Sequence, residues 1–147
     1  MTEVSLVRLY VLRAMYLFIV VGLAATIWPK LIVQPEGWPL MNSVVSSLLA
    51  AVSVLALLGI RYPLQMIPVL LFDLIWKIIW LAAVALPIWS AGEMDERTAQ
   101  TVIDCMVGLI LIPLAVPWAY VVAKYGRQPG DRWRSAARAE EAPVGLR

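Results

Sequence analysis

Four stretches of about 20 mainly apolar residues run through this chain, and they restrict its backbone more than any motif does. At a rise of 1.5 Å per residue, about 20 residues cross the ~30 Å of hydrocarbon in a bilayer. Hydrocarbon offers no partner to a bare amide or carbonyl, so a crossing segment must close its own backbone bonds as a helix. The predicted fold is therefore all-α, a polytopic membrane protein built as a four-helix transmembrane bundle. Its spans are predicted at about 9–28, 41–60, 64–89 and 102–123, within a membrane domain covering residues 1–126. Stop signals punctuate them: Pro29 after the first, Trp38-Pro39 and Arg61-Tyr62-Pro63 around the second, Lys124-Tyr125-Gly126 after the fourth. Arg8 and Arg13 before an apolar run also resemble the front of a signal peptide. Pro29 and Lys30 follow where a small-residue cleavage site belongs, so this segment is read as a retained span.

Composition removes several function classes. Of the 147 residues, 62% are apolar and 15% charged, against about 45–50% and about 25% in soluble domains. With no histidine and one cysteine, Cys105, the chain cannot build an internal disulfide, a CxxC redox pair or a Cys/His metal centre. A net charge of +2 gives no argument for nucleic acid. Nucleophile elbow, Walker loop and dinucleotide fingerprint are all missing from the sequence, and the expectation is a non-enzymatic protein with no cofactor and no metal.

Basic residues set the expected orientation, because cytoplasmic flanks carry the excess. With the amino terminus inside, Arg8, Arg13, Arg61, Lys124, Arg127, Arg132, Arg134, Arg138 and Arg147 all fall on the inner side. Only Lys30 and Arg97 fall outside, the latter beside Glu93, Asp95 and Glu96. Both termini are thus expected in the cytoplasm, with the protein in the plasma (inner) membrane. Residues 127–147 read as a basic cytoplasmic tail without fixed structure, in which Arg132-Trp133-Arg134 can touch anionic lipid. Trp28, Trp38 and Trp89 fall at the outer interface, and Tyr10, Tyr62 and Tyr125 at the inner one.

One basic residue, Lys77, lies inside the third span together with Asp73. Charges at that depth cost about 2.5–3.5 kcal/mol on insertion scales, so they normally face protein or water and pair. A spacing of four, acid first, stacks the two on one helix face. Trp76 and Trp80 share that face, which gives a stripe of acid, indole, base and indole. Three uses of the stripe stay open: a neutralised structural pair, a midplane pocket for a small molecule or a proton, and a docking device for another helix. Around it, Ser43, Ser46, Ser47, Ala50 and Ser53 form a small-residue face expected against the third span, with Ser47 and Ser53 as candidate lining. Asp104 is a third lining candidate, expected about one turn inside the fourth helix at the mouth of a vestibule. Pro113 and Pro117 free the carbonyls of Leu109 and Pro113, and Pro68 is expected to free that of Leu64.

Four compact helices, cytoplasmic termini and an early Arg13 make residues 5–125 resemble the DoxX-like small bacterial membrane proteins. That resemblance implies an accessory role, in some members beside oxidoreductase complexes, and implies no site residues. The resulting expectation is an accessory or assembly partner in a membrane complex, with the Asp73/Lys77 pair used for specific helix docking. Its expected partners are the lipid bilayer and either further copies of itself or another membrane protein, with a small-molecule ligand as a further candidate. The alternative is a small-molecule or proton-coupled carrier in which Asp73 titrates.

Overall fold

The computed structural model describes residues 3–34 and 36–130; the expectation for the basic tail falls on residues outside these, apart from its first four. Helix α1 (Leu6–Thr26) starts at Ser5, whose hydroxyl accepts the Arg8 amide at 3.4 Å and so serves one of the free amides of a helix start. Pro29 has no amide for the carbonyl four residues back, and the helix is interrupted at Ile27 before resuming as α2 (Trp28–Val33). Helix α3 (Leu40–Arg61) follows as one unbroken span. Next come α4 (Ile67–Trp80), a π-helical turn at Leu81–Ala85 and α5 (Leu86–Ser90), which together make one continuous 24-residue span. The widened turn immediately precedes Pro87, a residue that cannot donate to Ala83, so the helix rearranges there instead of ending.

Helix α6 (Glu96–Ala115) is capped by Asp95, whose carboxylate accepts the Thr98 amide at 3.0 Å. Hydrogen bonding from the Thr98 side chain and main chain holds that carboxyl below the ordinary carboxylate range. After α6 come a short helix α7 (Trp118–Val121) and a second π-helical turn at Val122–Arg127. Four of these segments, Leu6–Val33, Leu40–Arg61, Ile67–Ser90 and Glu96–Ala115, are long and apolar enough to cross a bilayer, and the chain is a multi-pass membrane protein.

Several boundaries differ from the sequence expectation, among them the end of the first span, which runs past Pro29 to Val33. Hydropathy predicts the fourth span at 102–123, yet its helix begins six residues earlier and stops at Ala115. The polar run Glu96–Thr101 reads as loop on hydropathy, but Asp95 supplies the cap that lets it start a helix. At the other end the residue before a proline is driven out of the α region, and Val116, before Pro117, is extended at φ −71° and ψ 126°. The third helix starts at Ile67, which puts Pro68 in the first turn. There a missing amide leaves no intrahelical bond unmade, so the expected loosening at Leu64 does not arise.

Helices α1 and α3 pack closely as one antiparallel hairpin, and α4 with its π-helical turn packs on α6; contacts of α1 with α6 and of α3 with α4 complete the bundle. Helix α3 packs chiefly on α1 and less on α4, and Ser46, Ala50 and Ser53 are buried along it. The largest fully buried side chains, Leu12, Tyr16, Ile67, Leu70, Ile112 and Val116, all lie toward the end of the bundle that carries the termini. At that end Tyr16 donates its hydroxyl to the Pro63 carbonyl at 2.9 Å, and Arg13 Nε donates to the Ile60 carbonyl at 3.2 Å. Both bonds serve acceptors at and just beyond the carboxyl end of α3, where helix carbonyls lack partners.

Candidate functional site

The third span places its charged pair as the spacing requires. Lys77 Nζ donates to Asp73 Oδ1 at 2.5 Å, and the two side chains are only 11% and 9% exposed. The same carboxylate oxygen accepts the Trp76 indole N–H at 2.8 Å, and the Lys77 ammonium stands 4.5 Å from the centre of the Trp76 ring. Asp73, Trp76 and Lys77 thus form a closed cluster on a single helix. Trp80 is half-buried one turn further on, and among the described residues its indole makes no hydrogen bond to the cluster.

What covers the lysine comes from the neighbouring helix. Gly108 of α6 faces Lys77 so closely that an added methyl group would stand 2.7 Å from Lys77 Cε. Gly108 is not among the candidates that the sequence singles out. Its only local signal is a glycine in the middle of an otherwise apolar helix, and that is common in membrane helices.

The candidate lining residues are not gathered around this cluster. Ser53 is buried, but its hydroxyl donates to the Ala50 carbonyl at 2.7 Å and accepts the Trp28 indole at 3.0 Å, so it joins α3 to the start of α2. Ser47 is exposed and donates back to the Ser43 carbonyl at 2.9 Å. Its place on the outer face of α3 corrects the expectation that it lines a polar cavity.

No family model, curated protein or solved structure matches the chain. The physical arrangement alone therefore carries the functional argument.

Asp104 departs furthest from expectation. Because α6 starts at Glu96, Asp104 lies about 12 Å along the helix instead of one turn from its start. A second measure of depth agrees: Gly108, which meets Lys77 near the middle of the third span, is about 6 Å away along the same helix. Asp104 is nonetheless exposed on the surface of the bundle, and its one side-chain partner among the described residues is the neutral amide of Gln100 at 3.0 Å. Neighbouring Ile103, Val107 and Ile110 are also exposed. The third span thus encloses a charged pair, and α6 bares a carboxylate four residues from the level at which it meets that pair.

The break in the fourth helix is also served. Pro117 cannot bond the Pro113 carbonyl, and the Trp118 indole donates to it instead at 2.9 Å. Replacing Trp118 with Phe is expected to cost about 1 kcal/mol, since that acceptor then faces lipid unmet. In a Pro117→Ala background position 117 regains an amide for the same carbonyl, and the loss should shrink toward zero in detergent unfolding titrations.

Proposed function

We propose that this protein is a non-enzymatic accessory or assembly partner of a membrane complex, and that it docks through the α6 face carrying Gln100 and Asp104. The observation that supports this reading is the exposed carboxylate inside the fourth span, about 6 Å along α6 from Gly108. A charge at that depth facing lipid costs a few kcal/mol, and a covering helix that offers Arg, Lys or a hydroxyl donor removes the cost. Two copies meeting on this face would bring their Asp104 carboxylates together, so the partner is a different membrane protein. The Asp73/Lys77 pair has a separate task in this reading. Closed on its own helix and roofed by Gly108, it organises the α4–α6 packing of the chain itself.

A carrier with Asp73 as the titrating site has less support. One oxygen of Asp73 already serves both Lys77 and Trp76. Neither the cleft lined by Arg8, Pro117 and Trp118 nor the one lined by Leu81, Trp89 and Val102 is lined by Asp73 or Lys77. The nine-to-two distribution of basic residues argues for both termini in the cytoplasm and the Glu93–Arg97 loop outside, in the plasma membrane. We retain the DoxX-like affiliation in this proposal, on the four-helix layout and Arg13.

Photocrosslinking in native membranes tests the docking face. A photoreactive side chain at Val107, one turn from Asp104, should yield a discrete adduct with another membrane protein, whereas the same group at the exposed Phe72 of α4 should yield lipid adducts only. Asp104→Leu should reduce the Val107 adduct about tenfold, the loss of one to two kcal/mol of interhelical bonding. Capture of nothing but lipid from Val107 would overturn the proposal.

A further inference from the structure

A second feature of the membrane surface adjoins the Asp104 face at Ile103 and differs from it in chemistry. The π-helical turn before Pro87 is accompanied by a cleft of about 520 Å³ between this part of the third span and the first turns of α6. Leu81, Ala85, Ala99 and Val102 line it, and Trp89 and Met94 stand toward its mouth at the loop end. All its lining side chains are apolar. From Leu81 to Trp89 the cleft runs about 12 Å along the helix axis, close to the ~15 Å of hydrocarbon in one leaflet.

The lining and the rim select the occupant. The slot is open to the bilayer and has no polar wall to orient a soluble ligand, so hydrocarbon chains entering from the leaflet are what it can take. At the same end the exposed loop carries Glu93, Asp95 and Glu96 against a single Arg97. That rim opposes an anionic headgroup and complements one that holds an ammonium beside its phosphate, the phosphate falling to Arg97.

We infer that the cleft between Leu81–Trp89 and the start of α6 is a lipid site, which seats the acyl chains of a zwitterionic phospholipid with a primary amine, of the phosphatidylethanolamine type. The partly enclosed wall at Ala99 and Val102 holds the chains, and the acidic rim selects the headgroup.

Native mass spectrometry of the full chain, released from nanodiscs of equal phosphatidylethanolamine and phosphatidylglycerol with matched chains, tests both parts. The wild-type protein should carry one retained lipid, enriched about fivefold in the ethanolamine lipid, as expected for about one net charge interaction at the surface. Ala99→Phe fills the slot and should reduce the retained lipid by a similar factor. Met94→Trp, which closes the mouth from the loop, serves where Ala99→Phe fails to fold. Glu93→Gln with Glu96→Gln should keep the lipid and lose the preference. Retention of the same adduct by the filled variant, equal retention of both lipids by the wild type, or release without lipid overturns the inference.

Discussion

Replacing Asp73 with Asn should destabilise the protein by about 3–5 kcal/mol, the range found when one partner of a buried ion pair is removed. Lys77 is then left with an amide where it had a carboxylate, under a roof set by Gly108 and beside the face of Trp76. It cannot reach an interface from the middle of the span, and its ammonium is left without a counter-ion. Lys77→Met does comparable damage from the other side, because Asp73 is buried and keeps only the Trp76 indole. The decisive variant combines the two. Asp73→Asn with Lys77→Met leaves no charge in the cluster, keeps an acceptor for the indole and nearly preserves the volume, so it should recover most of the lost stability. Unfolding in detergent and steady-state abundance in the membrane read the same cycle. A single Asp73→Asn variant as stable as wild type would show that the pair carries no packing energy.

How far the sequence foretells this structure depends on how local each feature is. The four spans follow from runs of apolar residues, and the Asp73–Lys77 bond follows from a spacing of four on one helix; neither requires knowledge of a neighbouring helix. Gly108 matters only because α4 and α6 meet at that level, and a single sequence gives no register between two helices. The seam of Ser46, Ala50 and Ser53 is recognisable as a packing face, but which helix lies beside it is a question of pairing, and α3 pairs chiefly with α1. The expected neighbourhood of Ser53 is wrong for the same reason, since its partner Trp28 comes from the interrupted end of the first span. For Asp104 the error is one of boundary. Hydropathy cannot see that Asp95 starts a helix through a polar stretch, and a start six residues earlier places Asp104 about two turns into the helix instead of one.

The two ends of the bundle consequently differ in character. The largest buried side chains and the bonds to the end of α3 lie toward one end, and the opposite end carries the π-helical turn Leu81–Ala85, the lipid-facing cleft and the acidic loop. The proposed functions of this chain, docking on α6 and lipid seating beside α5, both lie away from the most tightly packed core. Loss of that core should therefore abolish both at once, whereas either surface can be altered alone.

Gly59→Ala is the sharpest way to open the core, and its expected sign is the reverse of helix propensity. In the middle of a helix, alanine is favoured over glycine by about 1 kcal/mol. At Gly59 the added methyl group would lie within 2.6 Å of Tyr16 Cγ, against a ring that is fully buried. That ring has little freedom to move aside, because its hydroxyl is tied to the Pro63 carbonyl and its surroundings are the core residues of α1, α4 and α6. Relief requires either a shift of α1 from α3 or loss of the buried hydrogen bond. Overpacking costs about 1–3 kcal/mol and an unmet buried polar group a similar amount, so by either route the net loss should be up to about 2 kcal/mol after the propensity gain. Gly22→Ala is the control on α1, where no atom lies within 4 Å of the added methyl group, and it should raise stability by up to about 1 kcal/mol. Tyr16→Leu completes the cycle: with the ring gone, Gly59→Ala should become neutral or stabilising, the coupling appearing as a difference of about 1–3 kcal/mol between backgrounds. If Gly59→Ala is instead as harmful in the Tyr16→Leu background as in the wild type, the close approach of ring and helix is not what holds α1 to α3.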